Sequence, residues 1–72
     1  MDISETKTVI FRKYLGVDGI HACDIGATPN YEYILVVHDG IISPEVRDSI
    51  IADASPYRIE FLHDVTAIPA KS

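Results

Sequence analysis

The longest aliphatic run in this chain is Ile34-Leu35-Val36-Val37, and Tyr33 precedes it. Side chains on a strand alternate between two faces, so a strand that is apolar at every position needs cover on both. That makes the run a central strand rather than an edge, and Asp39-Gly40 closes it. Its cover has to come from few elements. At 72 residues the chain reads as one domain spanning 1–72, and a domain of that size buries only roughly 60% of the surface its unfolded form exposes. Hydrophobic residues at 47% and charged residues at 24% fit a globular domain and exclude a low-complexity tail.

The segments around that strand have their own punctuation. Asp2 and Glu5 stand three apart, the spacing of a capping box, and Gly16 followed by Val17 supplies a left-handed helix stop with its apolar contact. A helix over 4–15 is therefore expected, with Ile3, Ile10, Phe11 and Tyr14 on one face. The alternative is a strand over 8–15, because Thr8-Val9-Ile10-Phe11 is β-branched and aromatic. Between glycines, residues 20–25 read as a strand. Gly26-Ala27-Thr28-Pro29-Asn30 then reverses the chain into a second strand over 31–38.

Ser43-Pro44-Glu45 is a helix start: a hydroxyl cap, proline at the first helical position and an acid on the positive end of the dipole. Val46, Ile50, Ile51 and Ala54 form its expected buried stripe over 44–54, while Arg47, Asp48 and Asp53 face water. Alternation then predicts a third strand over 58–65, with Tyr57, Ile59, Phe61 and Val65 inward. A loose tail begins at about residue 66. The expected fold is α+β: a two-layer αββαβ unit with a three-stranded mixed sheet in the order 1-2-3 and both helices on one face. With 8–15 extended, the order becomes βββαβ. Ile10, Ile34, Val36, Ile50, Ile59 and Phe61 are the expected core.

Charge and cysteine content narrow the function classes. Six Lys and Arg against eleven Asp and Glu give a net charge of −5, which repels phosphate backbones and anionic lipid heads, so neither nucleic acid nor a membrane surface is an expected partner. A spanning helix needs roughly 20 apolar residues, far more than the run at Ile34. The lone Cys23 has no disulfide partner in the chain, and Met1-Asp2-Ile3-Ser4-Glu5 lacks the apolar run of a signal peptide; both point to the cytoplasm.

Two His-Asp pairs, His38-Asp39 and His63-Asp64, fall at the carboxyl ends of strands that the topology makes parallel. Ligands favour that edge in open α/β sheets, and imidazole with carboxylate can hold a transition metal or move a proton. His38, His63 and Asp64 are thus the candidate site residues, with no resting metal and no cofactor expected. Adjacent strand residues point to opposite faces, so polar strand ends touching water explain them too. His21 and Cys23, two apart, share a strand face, but zinc wants about four ligands and no second pair follows. No nucleophile elbow or phosphate loop occurs, so a non-enzymatic interaction module acting as a homodimer is favoured over an enzyme. Tyr33, Leu35, Val37 and Leu62 form its expected interface. The alternatives are a small metal-dependent or acid-base enzyme, or an anion- or metabolite-binding regulatory subunit, using the strand-end histidines.

Overall fold

A reciprocal cap opens the first helix. The Asp2 carboxylate accepts from the Glu5 amide at 2.9 Å, and the Glu5 carboxylate accepts from the Asp2 amide at 3.1 Å. In the computed structural model, which describes residues 2–64, helix α1 runs over Ile3–Tyr14. The β-branched segment is helical despite its propensity because the helix collects Thr6, Ile10 and Tyr14 into one buried stripe. It also sets Arg12 and Lys13 in the last turn, where cations favour the negative dipole end. An extended 8–15 would alternate Ile10 with Arg12 on one face. The strand alternative is therefore not adopted.

Three strands and a second helix follow. They are β1 at Ile20–Ala27, β2 at Glu32–His38, α2 at Pro44–Ala54 and β3 at Arg58–His63. The sheet has the order β1-β2-β3, antiparallel between the first pair and parallel between the second. This is an α+β fold with a mixed sheet. β1 runs two residues further into the turn than the sequence suggests, and Thr28 closes the reversal by accepting from the Asn30 and Tyr31 amides. The expected inward Val65 and the tail from residue 66 lie outside the described residues.

Register assigns the faces. Ile34 pairs with Ile25 and Ile59, and Val36 with Cys23 and Phe61; this face meets Ile10 and Tyr14 of α1 and Ile50 and Ala54 of α2 in the core. Two expectations need correcting. Ile59 and Phe61 are half-buried against the core rather than inside it, because β3 is an edge strand that the helical layer meets chiefly through α2. Ile51 is 43% exposed, since the helical stripe through Val46, Ile50 and Ala54 turns it away from so narrow a sheet. Ile20, absent from the expected core, is fully buried.

A polar clasp joins the helices. The Tyr14 hydroxyl donates to Asp53 Oδ2 at 2.7 Å and has one proton, so Ser49 Oγ, at 2.6 Å, is the donor to Tyr14. Lys13 Nζ reaches the same Asp53 oxygen at 2.9 Å. The Lys13 hydrogen bond, and then that of Tyr14, hold the Asp53 carboxyl below the usual carboxylate range, while Asp53 raises Lys13.

A single 3-10 turn, Val17–Gly19, connects α1 to β1 after Gly16. Asp18 takes a left-handed φ of 51° and Gly19 one of 85°. This turn is stitched to the far end of β2. The Asp39 amide donates to Gly19 O at 3.0 Å, and the Ser43 amide donates to Asp18 Oδ2 at 2.9 Å. Gly19 lies so close to Gly40 that a side-chain carbon on Gly19 would overlap the Gly40 amide.

Two outcomes test these contacts. Gly19→Ala combines a left-handed φ with that overlap and should destabilise by about 1–3 kcal/mol in urea titration. Tyr14→Phe keeps the ring and loses its hydroxyl, at a cost of about 1–2 kcal/mol near neutral pH. A depressed folded-state carboxyl contributes above its unfolded pKa of about 3.9 and loses that contribution as pH falls through the folded value. The difference between parent and Tyr14→Phe should therefore shrink below about pH 4.

Candidate functional site

The parity that buries Ile34 and Val36 also puts His38 on the helical face, at the carboxyl end of β2. His38 is 8% exposed. Its register partner across the parallel ladder is His63, and the two rings stack with centroids 5.1 Å apart and planes 7° from parallel. Phe61 meets His38 edge-on at 6.3 Å. The two histidines that the sequence reading singled out are therefore brought together, on one face and at one edge.

Hydrogen bonding fixes the His38 tautomer. Nδ1 lies 2.6 Å from Gly40 O, and a carbonyl only accepts, so Nδ1 carries the proton. In the neutral ring the lone pair is then on Nε2, which has no hydrogen-bond partner among the described residues. The rings border an open groove of about 280 Å³ between the strand ends and the loop that leads into α2. Ile41, Ile42 and Phe61 supply its apolar wall, and Arg47, from the first turn of α2, its cation. No carboxylate among the described residues lines it.

Asp64 takes no part in that lining. Its amide donates to His38 O at 2.7 Å, which extends the β2–β3 ladder one step past the last paired residues. Asp39 is exposed and faces the Gly19 turn. Arg47, read from the sequence as a solvent-facing helix residue, takes the place expected for the acid. The available signal was its position: three residues after Pro44, in a helix that starts where the His38 loop ends.

Metal chelation does not suit this arrangement. An imidazole lone pair lies in the ring plane, and two nearly parallel stacked planes share no nearby point at which one ion could sit. Among the described residues, no group of three or more His, Cys, Asp or Glu is placed to hold a metal ion. The His21 and Cys23 pair is parted by a register shift between Ile20 and Ala22, which leaves His21 exposed while Cys23 packs against the core. Burial pushes the Cys23 thiol up, partly offset by Lys7.

The opposite sheet face is set by the same register. Tyr33, Leu35 and Val37 lie along its middle, half-buried, with neither α1 nor α2 over them, and Leu62 beside Val37 is 48% exposed. The Tyr33 ring covers Gly26 on the neighbouring strand, and the Arg58 guanidinium lies 4.2 Å from the centre of the Tyr31 ring. Asp24 and Glu60 flank Leu35 on either side.

No helix among the described residues is long and apolar enough to cross a membrane. Comparison with protein-family models, curated proteins and solved structures finds no match to this chain. Its functional reading rests on geometry.

Cys23 provides a check on the face assignment. With its thiol raised and half covered, it should react with a disulfide reagent at neutral pH more slowly than free cysteine, and at the free rate in denaturant. Free-cysteine reactivity in the native protein would place Cys23 on the open face.

Proposed function

We propose that the protein is a non-enzymatic interaction module that pairs with a second copy of itself through its open sheet face. The observation that carries this reading is the column Tyr33, Leu35 and Val37, extended by Leu62, on the sheet face that neither α1 nor α2 covers. A two-fold dimer needs only one self-complementary patch.

Charge selects the register of that pairing. The face has three rows across the strands: Gly26, Tyr33 and Arg58; then Asp24, Leu35 and Glu60; then Ala22, Val37 and Leu62. A two-fold axis through the middle row would set acid against acid. Moving the axis between the first two rows brings Arg58 over Glu60 of the second copy, twice by symmetry, and Tyr33 over Leu35. Glu60 has no partner within its own chain among the described residues, so the offset pairing supplies it with one. Three strands about 4.8 Å apart make a narrow face, well under a standard interface, so the dimer is expected to be about micromolar or weaker.

Sedimentation from about 10 μM to about 1 mM tests the proposal. The mass should climb from 8.0 kDa toward twice that value. Arg58→Glu should hold the protein at the monomer mass, and adding Glu60→Arg to it should restore the climb. A constant 8.0 kDa at every concentration overturns self-association. Association that Arg58→Glu leaves intact overturns this face as its site.

A further inference from the structure

We propose that the groove beside the stacked histidines binds a small organic carboxylate whose apolar body carries a hydroxyl group. The site lies on the helical side of the sheet, away from the open face, and does not depend on self-association.

Three independent features specify that chemistry. The first is an unanswered buried acceptor. His38 is more than nine-tenths buried and lines the groove, its Nδ1 proton is committed to Gly40 O, and Nε2 has no protein partner among the described residues. Buried polar atoms are nearly always hydrogen-bonded, so Nε2 calls for a donor that the described residues do not supply, such as a ligand hydroxyl.

The second is an uncommitted cation. Arg47 has no carboxylate partner among the described residues, although the chain carries eleven acids against six bases. A guanidinium fork beside a wall with no acid in it matches a carboxylate, which it can hold through two parallel hydrogen bonds. The α2 terminus offers an anion little beyond the Glu45 amide. Its Val46 amide is already capped by Ser43 Oγ, the Ser43 amide is held by Asp18, and Pro44 has no N–H to offer.

The third is the wall itself. Phe61 and Ile42 are half-buried along the groove, and Ile41 at its rim is 87% exposed. So exposed an isoleucine on a tight loop is an apolar surface that a ligand body would cover. At about 280 Å³ the space lies just below the usual ligand-pocket range of roughly 300 to 1,000 Å³, and suits a single ring or a short branched chain.

The probe is 4-hydroxybenzoate, titrated into the full chain at about pH 8, above the ordinary imidazole range, and followed by amide and side-chain NMR shifts. Saturable shifts confined to His38, Gly40 to Ile42, Arg47, Phe61 and His63 are expected, with a Kd of about 1 mM. Phenol lacks the carboxylate and benzoate lacks the hydroxyl, so each should bind several-fold more weakly. Arg47→Gln lies on an exposed helix surface and should leave shifts elsewhere unchanged while weakening 4-hydroxybenzoate about tenfold. No saturation by about 20 mM, equal binding of phenol, or an unchanged Kd in Arg47→Gln overturns the carboxylate site. Micromolar perturbation of the same resonances by zinc chloride overturns it in favour of a metal. Each reading concerns the groove alone, so it stands or falls separately from the sedimentation result.

Discussion

Ile34 and Val36 sit wholly out of water between the sheet and the two helices, and the rest of the molecule follows from that burial through the two-residue period of a strand. Moving β2 by one residue would turn Tyr33, Leu35 and Val37 inward and expose Ile34 and Val36. With the observed parity, His38 has to end β2 on the helical side. The parallel register to β3 then puts His63 beside it and Leu62 on the far side next to Val37. Neither the stacked histidines nor the open apolar column needs a separate cause, because both are positions along one ladder.

What that burial leaves undecided is how the chain ends close over it, and the stitch between the Asp18 turn and the Gly40 loop does this. Asp18 holds the Ser43 amide, Gly19 O takes the Asp39 amide, and Gly40 O takes the His38 ring proton. Each bond joins a segment from before the hairpin, or the end of β2, to the loop that starts α2. The loop is thereby fixed relative to the strand end, with Arg47 one helical turn beyond it. A left-handed residue at Asp18 costs backbone energy, and the hydrogen bond from the Ser43 amide offsets it.

Much of this architecture was legible in the sequence because several local signals agreed. Ser43-Pro44-Glu45 starts α2 at the expected residue, and the capping box at Asp2 and Glu5 outweighed a β-branched run that argued for a strand. The face of β2 was not legible. Ile34 and Val36 are no more apolar than Leu35 and Val37, and only the tertiary fit to Ile10 and Ile50 separates them. Ile51 was misjudged for a related reason: its residue type suits a core, but a three-stranded sheet does not extend beneath it. The juxtaposition of His38 and His63 followed from parallel strand order, whereas Arg47 was hidden because spacing alone makes it an ordinary wet helix position. Its meaning depends on the loop that brings α2 to the strand ends, and that loop is shaped by glycine contacts which leave no periodic trace.

The two surfaces that the fold presents differ in how strongly the chain commits to them. On the open face, the Tyr33 ring lies over Gly26 and the Arg58 guanidinium over Tyr31, and Tyr33, Leu35 and Val37 are all half-buried even in a single copy. A partner there gains little area, which suits reversible pairing. The groove is the reverse case, with little area but several polar atoms already in place. His38 is held by its Gly40 bond and by the ring beside it, and no acid among the described residues competes for Arg47. Groups fixed in advance lose little freedom when a ligand arrives, so a small molecule can gain specificity there that the larger face does not offer. β2 carries both surfaces, one on each side. The groove takes His38, Phe61 and His63 from the helical side of β2 and β3, and the open column takes Val37 and Leu62 from the other side, so the alternation of the two strands keeps the surfaces free of any shared residue.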